Sequence, residues 1–85
     1  MSELDRADVL EAVVASIHEV LPDLAGRQIE PTDRLVDLGA NSVDRAEITM
    51  LAMEALSIEV ERTRLAGVKD IGGLVDTLHA NARGR

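Results

Sequence analysis

With 85 residues the chain makes one small domain, 1–85, which buries roughly 60 to 65% of its surface, too little for a deep enclosed catalytic pocket. Hydrophobic residues make up 46%, enough for a folded globule, but Phe, Tyr and Trp are absent, so the core is aliphatic and single-stranded nucleic acid finds no stacking platform. A net charge of −7 repels phosphate backbones and suits basic partner surfaces, while the lack of cysteine excludes disulfides and thiolate metal sites and leaves the chain no thiol of its own.

The first predicted element is a helix over about residues 3–20. Ser2 and Asp5 form an S-x-x-D capping pattern, and Val9, Leu10, Val13, Val14, Ile17 and Leu21 recur at helical spacing. Glu3, Asp5, Asp8 and Glu11 crowd its start, where the helix dipole favours negative charge. Pro22 stands just past its end. No run is long and apolar enough for a membrane span and no signal peptide is recognisable, so a cytoplasmic, monomeric protein is expected.

Residues 22–40 read as a long connection punctuated by Pro22, Gly26, Pro31 and Gly39, with one helical turn expected at "PTDRL". Loops of this length are uncommon in compact domains and are often functional.

A second helix is expected over about 42–56, with Asn41 as N-cap and Asp44 as its acidic partner at the third position. Ile48, Leu51, Ala52, Ala55 and Leu56 make a stripe for the core. Val43, Ala46, Met50 and Met53 make a second apolar stripe, interleaved with Glu47 and Glu54. Methionines that fill gaps in an aromatic-free core would explain this face. So would a partner-docking surface, since Met adapts to varied shapes and acids steer basic ones.

"SIEVE" alternates like a strand, but a single strand would lack a partner. A short helix at "ERTRLAG" ends at Gly67, and Asp70 caps a last helix through about Asn81, with Ile71, Leu74, Val75 and Leu78 facing inward. Gly72 and Gly73 weaken its first turn, and about residues 82–85 form a frayed tail. The fold class is all-α: a small four-helix bundle of three long helices and a short third one, with a long loop between the first two.

Ser42 is the candidate functional residue. No G-x-S-x-G elbow surrounds it, and His18 and His79 read as surface or packing histidines, so neither a hydrolytic nucleophile nor a metal site is supported. No catalytic residue is assigned. As a cap Ser42 is redundant beside Asn41. An attachment point fits better: a phosphodiester on Ser42 would face the free N–H groups of a helix N-terminus, and Gly39 would let the loop approach closely.

"DLGANSVDRAEI" resembles the prosthetic-group motif of acyl carrier proteins, commonly D-x-G-x-D-S-L-[DE], with Asp37, Leu38, Gly39, Ser42, Asp44 and Glu47 on matching positions. The resemblance covers nearly the whole chain. It implies a phosphopantetheine arm on Ser42, flanked by Gly39 and Asn41, whose thiol supplies the thioester chemistry that a cysteine-free chain lacks. It also implies a non-catalytic carrier that is itself the substrate of a phosphopantetheinyl transferase and of acyl-loading and decarboxylating enzymes.

Asn41 stands where many members have Asp, and Val43 where Leu is commoner. The run "GANSVDR" is similar to stand-alone donor carriers of polyketide β-branching cassettes, which implies a hydroxymethylglutaryl-synthase-like partner that takes an acetyl unit. The docking contacts would then be Val43, Asp44, Arg45, Ala46, Glu47 and Met50. The alternatives are a general fatty-acid or polyketide extender carrier and, outside the family, a helical adaptor with Ser42 inert.

Overall fold

Helix α1 runs from Arg6 to Val20 in the computed structural model, which describes residues 5–83. It starts later than the expected residue 3, because Asp5 is extended (φ −80°, ψ 156°) and is itself the N-cap, its amide donating to the Asp8 carboxylate at 3.1 Å. Ser2 and Glu3, to which the sequence assigned the cap and the first turn, lie outside the described residues. Val9, Val13 and Ile17 are fully buried and form the inward stripe. The Leu21 N–H still reaches the Ile17 carbonyl at 2.7 Å, and Pro22 then ends the helix and opens a 3-10 turn, Pro22–Leu24, that the sequence reading missed.

The connection to the next helix forms no α-helix after that turn; its one α-type hydrogen bond runs from the Leu38 N–H to the Arg34 carbonyl at 3.1 Å. At "PTDRL" the chain makes a polar turn instead, with the Asp33 N–H on the Glu30 carbonyl at 2.9 Å and the Glu30 N–H on the Asp33 carboxylate at 2.8 Å. An Asx-type side chain competing for backbone donors favours turns over helix, so the α-type hydrogen bond starts only at Arg34, near the end of that stretch. Ile29, Leu38 and Ala40 are the loop's buried anchors.

Helix α2 spans Ser42–Leu56, the bounds read from the sequence. It ends in a Schellman-type turn: Ser57 adopts the left-handed conformation (φ 57°, ψ 42°), and the Ile58 N–H bonds the Met53 carbonyl at 3.0 Å. The alternation in "SIEVE" is real although no strand forms among the described residues. Ile58 and Val60 point into the core from an extended connector while Glu59 is exposed. Helix α3, Arg62–Leu65, is a single turn.

Helix α4, Ile71–Arg83, is capped by Asp70, whose Oδ1 accepts the Gly73 N–H at 2.7 Å. It continues two residues past the expected end, taking in 82 and 83 of the segment read as a tail; residues 84–85 lie outside the described residues. Ile71, Leu74, Val75 and Leu78 are buried as the periodicity requires. α1 packs on both α2 and α4, and an ion pair from Arg6 Nε to Asp76 Oδ1 at 2.5 Å ties the outer surfaces of α1 and α4. The aspartate raises the Arg6 pKa, by its hydrogen bond and then by its charge. Both side chains are well exposed, so solvent screening leaves the pair little stabilising effect.

The core is aliphatic, with Ile17, Ile48, Ile71 and Leu78 as its largest fully buried side chains. No helix among the described residues is long and apolar enough to cross a membrane.

Candidate functional site

The loop enters the site through consecutive turns. The Ala40 N–H bonds the Leu35 carbonyl at 3.1 Å, and the Gly39 N–H bonds the Val36 carbonyl at 3.2 Å. Leu38 and Ala40 insert into the core on either side of Gly39, which turns outward at φ +97°. The sequence reading gave Gly39 the task of close approach. The structure gives another reason: a Cβ built there meets nothing within 4 Å, so glycine is required by the backbone dihedral and not by crowding.

Asn41 is extended (φ −82°, ψ −177°) and caps α2 reciprocally with Asp44. Its Oδ1 accepts the Asp44 N–H at 2.8 Å, and the Asp44 Oδ2 accepts the Asn41 N–H at 3.2 Å. The Arg45 N–H takes the Asn41 carbonyl at 2.9 Å. Ser42 is therefore the first helical residue. It is exposed, and neither its hydroxyl nor the amides of Ser42 and Val43 make a hydrogen bond among the described residues. A hydroxyl oxygen thus stands beside two unoccupied amides at the positive end of a 15-residue helix, an arrangement that stabilises a phosphodiester on that oxygen.

The second face of α2 divides. Val43 is 70% exposed and Met50 55%, large values for apolar side chains, and Ala46 and Glu47 are exposed between them. Met53 belongs instead with the core, half-buried and packed against it. Asp44 is half-buried and occupied in the cap. Arg45, expected on the outward face, is half-buried: its Nη1 donates to the Ala40 carbonyl at 2.9 Å, which braces the turn before Ser42. Its position, three residues after Ser42, faces the loop rather than solvent. The two histidines stand on α1 and α4; among the described residues His18 Nε2 is buried without a hydrogen-bond partner.

The model of the phosphopantetheine attachment site family matches residues 11–78, most of the chain and all of this site. The polyketide biosynthesis acyl-carrier-protein AcpK of Bacillus subtilis is 47% identical over 76 residues, which cover 89% of this chain and 93% of that one. The chain is an acyl carrier protein. A carrier from Saccharopolyspora erythraea is 28% identical over 81 residues, covering 94% of this chain and 85% of that one. Among solved structures, the carrier superposes with a TM-score of 0.85 and 43% identity on a chain of the curacin biosynthetic pathway HMG synthase in complex with acetyl donor-ACP, covering 91% of this chain and 99% of that chain. Phosphopantetheine is the family's prosthetic group, and the residues at the α2 N-terminus fit it: an exposed hydroxyl for the ester bond and free amides for the phosphate.

Proposed function

We propose that this carrier holds its phosphopantetheine arm on Ser42 and serves as the acetyl donor to a hydroxymethylglutaryl-synthase-like enzyme in polyketide β-branching. The observation that carries the reading is the likeness, at 43% identity and nearly full coverage, to the acetyl donor carrier bound to the curacin HMG synthase. Ser42 supports the first half by position, exposure and freedom from internal hydrogen bonds. The chain supplies no catalytic group. It is the substrate of a phosphopantetheinyl transferase, which makes the ester, and of loading and decarboxylating enzymes, which set the acyl unit on the terminal thiol.

Docking falls to the outward face of α2. Val43 and Met50 give apolar contact beside the serine, with Ala46 small enough for close approach between them. Glu47 and Asp44 meet basic side chains, which speeds association more than it tightens the complex. Arg45 contributes through the turn it braces.

Two measurements test the reading. Incubation with coenzyme A and a phosphopantetheinyl transferase should add the mass of one arm to the wild-type chain and none to Ser42→Ala; an arm on Ser42→Ala refutes the attachment site. The acetyl-loaded carrier should then pass acetyl to the catalytic cysteine of a cognate synthase faster than an acetyl-loaded fatty-acid carrier does. Equal transfer from the fatty-acid carrier leaves a general extender carrier and removes the donor assignment.

A further inference from the structure

Arg45 is the one cation of α2, a helix that carries three carboxylates, Asp44, Glu47 and Glu54. It stands at the end of the first turn, where the macrodipole disfavours positive charge. Its side chain turns back toward that end. Nη1 donates to the carbonyl of Ala40, two residues before Ser42, and the residue is half-buried. This bond takes one of the five guanidinium N–H groups and leaves four. Among the described residues no carboxylate pairs with Arg45. A guanidinium held in place at the positive end of a helix, without an ion-pair partner, asks for an anion beside it.

The prosthetic group of the family supplies one. Its phosphodiester keeps one negative charge and two unbridged oxygens, which suit the planar fork of a guanidinium. Residues three apart on a helix are neighbours, with Cβ atoms about 5 to 6 Å apart, so Ser42 and Arg45 stand side by side. The amides of Ser42 and Val43, at the open start of the helix, make no hydrogen bond among the described residues. The cap adds no free anion to compete with a phosphate. Asn41 accepts the Asp44 N–H with a neutral amide oxygen, and the Asp44 carboxylate is engaged by the Asn41 N–H.

We propose that Arg45 is a positioning residue for the phosphopantetheine arm: its guanidinium, while keeping the Ala40 carbonyl, binds the phosphodiester on Ser42 of the same chain. The inference rests on the Ser42 reading and deepens it by fixing where the arm starts. At 3.6 residues per turn Arg45 lies about 60° to one side of Ser42, while Ala46, Met50 and Val43 lie about 40 to 100° to the other. A phosphate held on the Arg45 side keeps the base of the arm clear of the face offered to partners. One side chain then joins the turn at Ala40, the start of α2 and the arm, so the turn that positions the serine stiffens once the arm is in place.

The test is a cycle of apo and holo forms, read by melting and by ³¹P NMR. Intact mass first confirms one arm on the wild type and on R45Q after treatment with coenzyme A and a phosphopantetheinyl transferase, and none on Ser42→Ala. Loading should raise the melting temperature of the wild type by about 2 to 6 °C at low salt, and that of R45Q by less than half as much, the remainder coming from the free amides. Whatever R45Q loses with the Ala40 bond is lost in both forms and cancels. The ³¹P resonance of the wild-type holo form should lie apart from its value in the urea-unfolded protein, and R45Q should move it at least half-way back. R45M, which keeps the packing of the stem without the charge, gives a second reading of the same cycle if R45Q does not fold. Equal rises in the wild type and the variant, or a ³¹P resonance that the variant leaves in place, overturn the contact while the Ser42 reading stands. The control is R34Q: if it removes as much of the rise as R45Q, the general positive field and not Arg45 accounts for the effect, and the proposal fails. If Ser42→Ala still takes the arm, the attachment reading falls first and the Arg45 proposal with it.

Discussion

Replacing Gly39 separates two reasons for a glycine at that point of the motif. At φ +97° an L-residue is strained by about 1 to 2 kcal/mol, while the reduced freedom of the unfolded chain returns about 0.4 to 1 kcal/mol. A Cβ at Gly39 meets nothing within 4 Å, so no steric cost adds to this. The net loss for Gly39→Ala is about 1 kcal/mol, or about 4 to 8 °C in melting temperature for a domain of this size. D-alanine prefers positive φ, and placed at the same position by chemical ligation it should melt at or above the wild-type temperature. Circular dichroism during heating reads both. If the L- and D-alanine proteins lose the same stability, the absence of a side chain is what matters there, and the dihedral argument is wrong.

Other residues give sharper contrasts. Ile48 is fully buried and Met50 is 55% exposed, so Ile48→Ala should cost about 2 to 5 kcal/mol and Met50→Ala under about 1 kcal/mol in urea unfolding. A large loss in Met50→Ala would return that side chain to the core and remove it from the docking face. Asn41→Ala breaks the cap and should cost about 1 kcal/mol, whereas Ser42→Ala should stay within about 0.5 kcal/mol, because the Ser42 hydroxyl has no partner to lose. Ser57 sits at φ 57° in the turn that ends α2, so Ser57→Gly should raise stability by about 0.5 to 1 kcal/mol; a lower melting temperature would refute the strain assigned to it.

What could be read from the sequence was local. The cap of α2 is a four-residue pattern, Asn41 to Asp44, and both of its hydrogen bonds form. The buried stripes of α1 and α4 follow from helical period alone. What could not be read depends on distance along the chain. The period places Met53 on the outward stripe, yet the connector after α2 folds back and Met53 packs on the core. Arg45 is three residues from Ser42, but its hydrogen bond goes back to Ala40, in a loop whose path no period describes. A groove between the loop at residues 34–36, α2 and the segment from α3 into α4 joins Arg34, Arg45 and Lys69, so its charge cannot be seen until they are brought together. At the N-terminus the sequence pattern pairs Ser2 with Asp5, and the structure shows Asp5 pairing forward with Asp8 as a cap.

The long loop also explains the first of the paired glycines of α4, Gly72, which propensity alone counts as a weakness. The first amides of a helix need acceptors. The Ile71 N–H takes the Asp33 carbonyl at 2.9 Å, and the Gly72 N–H takes the Pro31 carbonyl at 2.7 Å. A Cβ on Gly72 would lie 3.2 Å from that same carbonyl oxygen, so the loop docks this closely because position 72 has no side chain. Past its opening 3-10 turn the loop builds no helix, and its Pro31 and Asp33 carbonyls find their partners at the start of α4. The same loop continues through Leu38, Gly39 and Ala40 into the cap of α2. Ser42 is thereby positioned from two sides: by the buried face of its own helix through Ile48 and Ala52, and by a loop fastened to α4 at its middle and to the core at its end. A hydroxyl that bears the arm, as proposed for Ser42, needs its position fixed while its surroundings stay open, and the bundle achieves this with backbone hydrogen bonds and buried aliphatic side chains rather than with a pocket.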